Sequence, residues 1–271
     1  MFHAANLRTL RIDKNAIPYL EGLTDVKNLG TLSWREQRLN SDIQYQHCHE
    51  VHSLYLSSNP LPTFASETPF LNLRHLELAS AGLQSLSPDF GTKCPNLRVV
   101  NFNYNALRDL RPLLGIAKLE KLFIAGNRIS RLRRTVAVLD RFGVELMEVD
   151  LRNNPLTVGF YTPQDPDKEE RRMVVQDGNR VYHEEIEDIE ARRANAYLLC
   201  TLDKETDNQS RERLDEDTKL RRRVYEMLIN NACKGLEHLD GLEVDRRSIG
   251  KRDGVWDRLC ELGILRSTES D

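Results

Sequence analysis

One arrangement of apolar positions returns seven times along the chain. An apolar residue is followed by apolar positions four, six and eleven, with a polar residue, most often an amide, at position nine. It reads LRTLRIDKNAI from Leu7, LGTLSWREQRL from Leu29, VHSLYLSSNPL from Val51 and LRHLELASAGL from Leu73. It continues as LRVVNFNYNAL from Leu97, LEKLFIAGNRI from Leu119 and LMEVDLRNNPL from Leu146. Successive starts lie 22, 22, 22, 24, 22 and 27 residues apart. Positions four and six alternate along a short strand, so both face one side of it. No unit can bury these residues alone, and stacking the units makes one continuous apolar column.

A period in this range with this pattern is that of a leucine-rich repeat. The fold class expected is α/β: a right-handed leucine-rich-repeat solenoid, or horseshoe, of about 22-residue repeats with a helical C-terminal cap. Position nine holds Asn15, Gln37, Asn59, Ala81, Asn105, Asn127 and Asn154. A side-chain amide there can satisfy backbone groups where the chain leaves the strand. Gln37 and Ala81 depart from the pattern, and Trp34 beside Gln37 leads us to expect a distorted second repeat. In the longest interval Leu132, Val136, Leu139 and Phe142 recur at helical spacing, predicting a helix of about three turns.

The domain reading is residues 1–161 as seven repeats, 162–220 as an acidic insertion, and 221–271 as the cap and terminal helix. Six residues before Leu7 can hardly cover the apolar edge of the first repeat. The expectation is a chain that continues upstream, or a partner over Leu7, Leu10 and Ile12; the uncapped edge also offers a homodimer contact. The insertion carries 17 acidic against 10 basic residues and should be solvated, partly helical and partly disordered. Its one apolar island, YLLCTL from Tyr197 to Leu202, is placed to dock on the solenoid. Val224, Leu228 and Ile229 then give a helix face, and LEHLDGL from Leu236 restarts the repeat phase. Tyr225, Leu236, Leu239, Asp240 and Gly241 resemble the cap that closes many leucine-rich-repeat proteins. A last helix, GVWDRLCELGIL, puts Val255, Leu259 and Leu262 on one face.

Charge and composition narrow the function classes. The net charge of −3 gives no basic footprint for nucleic acid. No apolar run is long enough for a membrane span, and the opening MFHAANLRTL lacks the pattern of a signal peptide. Five scattered cysteines without a CxxC pair read as reduced thiols. His47, Cys48, His49 and His52 cluster, but no second group completes a tetrahedral site, so no metal is expected. Phosphate loop, nucleophile elbow and zinc-protease motifs are missing from the sequence, and neither a cofactor nor a catalytic residue is assigned.

What remains is a protein-binding surface. The third, fifth and seventh positions of each repeat point out of the concave sheet. The candidate binding residues are Arg11, Arg35, Tyr55, Glu77, Asn101, Phe123, Asp150 and Arg152, with Tyr104 beside them. Aromatic and arginine side chains are the expected energetic anchors.

Three segments carry a closer resemblance: RFGVELMEVDLRNNPLTVGFY, LDEDTKLRRRVYEMLINNACKGLEHLDGL and VWDRLCELGIL. Together they resemble the C-terminal repeat domain of the fungal septation-initiation and mitotic-exit scaffold, which is related to centriolin. The resemblance implies a non-catalytic scaffold at the spindle pole body, a cytoplasmic microtubule-organising centre. The implied partners are a spindle-pole-body anchor and the components of a small-GTPase and kinase module that acts in cell division, with no nucleic acid and no membrane. The alternative is a protein phosphatase-1-type regulatory leucine-rich-repeat subunit; the acidic insertion and the terminal helix favour the scaffold.

Overall fold

The computed structural model describes residues 6–20, 23, 26–38, 44–162, 197–199 and 201–263. Seven three-residue strands carry the repeats: β1 (Thr9–Arg11), β2 (Thr31–Ser33), β3 (Ser53–Tyr55), β5 (His75–Glu77), β7 (Val99–Asn101), β8 (Lys121–Phe123) and β9 (Glu148–Asp150). Two shorter strands, β4 (Thr63–Phe64) and β6 (Ser85–Leu86), pair with each other in a separate two-stranded sheet. The seven repeat strands lie side by side in sequence order, all parallel, and β10 (His238–Leu239) adds to β9 in the same direction. β11 (Leu242–Glu243) turns back on β10 antiparallel and closes that edge. Third position faces third position throughout, as in Thr9 with Thr31 and Val99 with Lys121. The repeat phase read from the sequence is therefore the register of the sheet.

Positions four and six fill the interior: Leu32, Trp34, Leu54, Leu56, Leu76, Leu78, Val100, Phe102, Leu122, Ile124, Val149 and Leu151 are all fully buried. The equivalent Leu10 and Ile12 of the first repeat are only part-buried. Behind the strands, Phe64, Phe90 and Phe102 form an aromatic chain with ring centroids 6.0 and 5.8 Å apart.

After each strand the eighth residue is left-handed: Lys14, Glu36, Ser58, Ser80, Tyr104, Gly126 and Asn153 have φ between 51° and 66°. That conformation costs a non-glycine residue roughly 1–2 kcal/mol, and the amide at position nine sits beside it. Asn59, Asn105, Asn127 and Asn154 donate from Nδ2 to the sixth-position carbonyls of the preceding repeat, Trp34, Leu78, Phe102 and Ile124, at 2.7 to 2.9 Å. Gln37 does the same with the longer arm, donating from Nε2 to the Ile12 carbonyl at 2.8 Å and accepting from the Ile17 N–H at 3.1 Å. The distortion expected of the second repeat does not reach its strand. Among the described residues of that repeat it shows as one further left-handed residue, Arg38. At Ala81, which has no amide, the backbone substitutes: the Leu61 N–H donates to the Ala81 carbonyl at 2.8 Å.

Helix α1 (Phe90–Lys93) is a single turn, and α2 is Leu132–Leu139. α2 stops a turn short of the sequence expectation. Phe142 is still buried, but in the turn that follows, where Gly143 takes φ 48°.

The cap is built from α3 (Lys204–Glu212), α4 (Glu216–Ala232), α5 (Arg246–Ile249) and α6 (Gly254–Glu261). Asp203, Asp215 and Asp253 cap α3, α4 and α6 by accepting from first-turn N–H groups. α3 and α4 are joined through the fully buried Arg222, which donates to Asp207 at 2.6 Å, to Glu226 at 2.9 Å and to the Phe160 carbonyl at 2.8 Å. The boundary expected at 220–221 thus falls inside α4, and the ordered cap extends back to Asp203. The rest of the expected insertion, residues 163–196 and Cys200, lies outside the described residues. In α6, Leu259 packs on Met227 and Leu228, whereas Leu262 lies past the helix end and is exposed, not on the packing face.

Candidate protein-binding face

The outward positions of the strands form one surface, but most of its side chains are engaged with one another. At the first repeat, the Asp13 carboxylate accepts from Ser33 Oγ at 2.7 Å and from the Arg35 N–H at 2.9 Å. Arg35 then reaches past β3 and forms a two-pronged pair with Glu77, at 2.6 and 2.7 Å. Ser57 Oγ adds a third bond to Glu77 at 2.6 Å. Burial opposes the Arg35 charge, yet Glu77 holds its pKa above the ordinary arginine value. The guanidinium lies over the Tyr55 ring at 4.7 Å, and Tyr55 meets His75 at 4.9 Å. Burial, with Arg35 adding to it, lowers the His75 pKa to about 4, so this imidazole is neutral near pH 7. Burial foremost, with Glu77, raises the Tyr55 hydroxyl above its ordinary value.

At the other end Arg152 pairs with Asp150, the closest contact being 2.6 Å, and both are buried. Beside them Asp240 of the cap is fully buried. It accepts from the Leu151 N–H at 2.6 Å, the Tyr161 hydroxyl at 2.7 Å and the Tyr225 hydroxyl at 2.8 Å. Burial first, then the Asp150 charge, pushes the Asp240 carboxyl up to about 7 against the pull of these donors.

All eight candidate residues share this surface, but they are not equally accessible. Arg11 is exposed and Tyr55 half-buried. Arg35 and Phe123 retain 7% exposure each, and Glu77, Asn101, Asp150 and Arg152 retain less. Six of the eight are thus buried: Arg35 pairs with Glu77 across β3, Arg152 pairs with Asp150 two residues before it, and Asn101 donates to the Tyr197 carbonyl. Tyr104 is exposed and packs its ring against Gly126, where a Cβ would meet Tyr104 Cδ1 at 2.8 Å.

Sequence reasoning did not single out Glu36 or Asn103, nor Tyr197 as a member of this face. Asn103 accepts from the Ala125 N–H on its Oδ1 at 2.7 Å and donates from its Nδ2 outward to the Tyr197 carbonyl at 3.0 Å. The signal was present as the alternating amides Asn101 and Asn103 and as the apolar island that begins at Tyr197.

Among the described residues, no group of three His, Cys, Asp or Glu is arranged to hold a metal ion. No helix among them is long and apolar enough to cross a membrane.

Comparison with known proteins accords with the fold. The family described as Leucine rich repeat matches residues 71–129. The septation initiation network scaffold protein cdc11 of Schizosaccharomyces pombe is 30% identical over 247 residues, which is 90% of this chain and 23% of the scaffold. The chain thus spans about a quarter of that relative's length. A leucine-rich repeat-containing G-protein coupled receptor 5 from Rattus norvegicus is 32% identical over 90 residues, 33% of this chain and 10% of the receptor. The crystal structure of human 5T4 superposes with a TM-score of 0.40 at 22% identity, covering 56% of this chain and 71% of that one, too slight a likeness to carry an argument. The receptor match is about the length of four repeats, whereas the scaffold match is longer than the whole repeat array. The chain carries the leucine-rich-repeat domain of the septation initiation network scaffold family.

Proposed function

We propose that this domain is a non-catalytic protein-binding module that anchors and assembles a small-GTPase and kinase module at the spindle pole body during mitotic exit and septation. Kinship with a scaffold and a repeat architecture support the scaffold role. Repeat solenoids present long surfaces to protein partners. The observation that carries the reading is the length of the scaffold match, 247 residues, which takes in cap as well as repeats. The strand face agrees with it in chemistry. On it Arg35 and Arg152 are held in ion pairs and His75 is neutral.

The test is capture by the purified domain from a lysate of dividing fungal cells, read by mass spectrometry. Spindle-pole anchor proteins or components of the GTPase and kinase module are the expected captures. A phosphatase catalytic subunit as the dominant capture would replace this reading with that of a regulatory subunit.

A further inference from the structure

The strand face already holds an occupant. Tyr197, which the sequence places between the last repeat and α3, lies against it. Its ring sits 5.5 Å from the Arg35 guanidinium, and its hydroxyl donates to Glu36 at 2.9 Å, with Ser58 alongside. Its carbonyl accepts from Asn103 Nδ2 at 3.0 Å and from Asn101 Nδ2 at 3.2 Å. Five residues on, the Leu202 N–H donates to the Gly241 carbonyl of the cap at 2.9 Å, which fixes the downstream end.

The donors that meet Tyr197 are spare to the solenoid. Asn101 and Asn103 spend their oxygens inside it, on the Asn103 and Ala125 N–H groups, and turn their NH2 groups outward. Two outward NH2 groups converging on one point suit a peptide carbonyl. The carboxylate of Glu36 at a ring's length from them suits a phenol, and the Arg35 face suits the ring between.

We propose that this part of the strand face is a receptor for a short partner segment bearing an unmodified tyrosine, and that Tyr197 occupies it in cis until such a segment displaces it. This rests on the strand face being the docking surface. The chemistry makes the site selective. Phenylalanine forfeits the Glu36 bond, and phosphotyrosine would set a dianion against Glu36 with Glu77 close by. A short tether gives the cis copy an effective concentration in the millimolar range, so a free segment with the same contacts competes poorly while Tyr197 is in place.

The experiment uses the whole chain and a fluorescent synthetic peptide of residues 194–203 with serine in place of cysteine at position 200. Binding is followed by anisotropy to wild type, Tyr197→Ala and Tyr197→Phe, with thermal unfolding recorded for each. Tyr197→Ala should bind the peptide at least ~10-fold more tightly than wild type, with Tyr197→Phe between them. Phenylalanine or phosphotyrosine in the peptide should abolish the gain, as should Glu36→Ala in the Tyr197→Ala chain. Equal binding to wild type and Tyr197→Ala overturns the proposal, and so does no binding to a folded Tyr197→Ala chain at millimolar peptide. If the peptide shows no preference while a captured partner is still lost on Tyr55→Ala, the strand face stands as a docking surface and the cis occupant falls.

Discussion

Replacing Asn127 with leucine tests what holds the repeats together. Asn127 is buried, and its Nδ2 reaches the carbonyls of Phe102, Ile124 and Ala125 at 2.8, 3.0 and 3.2 Å, while its Oδ1 accepts from the Leu107 N–H at 3.0 Å. The three carbonyls each keep a second donor: Asn105 Nδ2, Asn154 Nδ2 and the Tyr104 N–H. The Leu107 N–H is the group left stranded. An unsatisfied buried donor costs ~1–3 kcal/mol, and loss of the shared bonds adds a fraction of that, so Asn127→Leu should cost about 2–3 kcal/mol. Alanine should be milder. The fourth repeat shows how the backbone manages without an amide, with Leu61 N–H donating to the Ala81 carbonyl. A small residue at 127 leaves room for the same adjustment, at about 1 kcal/mol. Urea unfolding followed by circular dichroism measures both. A leucine variant within about 0.5 kcal/mol of wild type would refute the amide ladder as a source of stability. An alanine variant costlier than leucine would refute the backbone substitution.

Arg35→Ala leaves Glu77 buried with only Ser57, and should cost ~3–5 kcal/mol, whereas replacing Arg35 and Glu77 together by Met and Leu should cost less than either single change; a double-mutant cycle checks this. Asp240 keeps its proton to about 7 in the folded chain but only to ~3.9 when unfolded, so its contribution to stability is full below about pH 4 and is lost as pH rises toward 7. His75, lowered to about 4, acts with the opposite sign in an overlapping window. The stability of wild type minus that of Asp240→Asn, measured from pH 4 to 8, isolates the first effect and should fall across that range; a flat difference would remove it. Gly235→Ala should prevent the cap from seating, since a Cβ there would lie 1.9 Å from the Val144 carbonyl; a variant with an unchanged melting temperature would contradict that packing.

The repeat phase was legible because a strand alternates strictly and a one-residue slip would turn every leucine outward. That constraint places residues 9, 31, 53, 75, 99, 121 and 148 in line, as the register shows. The amide ladder was legible for the same reason. Accessibility of the outer face was not, because it depends on contacts that no local pattern encodes. Arg35 reaches Glu77 across an intervening strand, 42 residues away, and Tyr197 returns to Asn103 from 94 residues further along. The length of α2 was overestimated because Phe142 keeps the helical spacing although the backbone turns at Gly143. The start of the cap was set too late, since charge content hid that Asp207 and Arg222 are a buried pair joining α3 to α4.

The central claim, that the strand face binds the partner, is tested most directly by quantitative capture with variants that separate binding from folding. Buried Arg35 and Arg152 are unsuitable for this, but Arg11 is exposed and Tyr55 half-buried on the strand face, and Leu71 is exposed away from it. The account predicts that Arg11→Glu with Tyr55→Ala loses the captured partner while Leu71→Asp keeps it, both variants melting as folded proteins. Retention by the strand-face variant, or loss by Leu71→Asp alone, would contradict it.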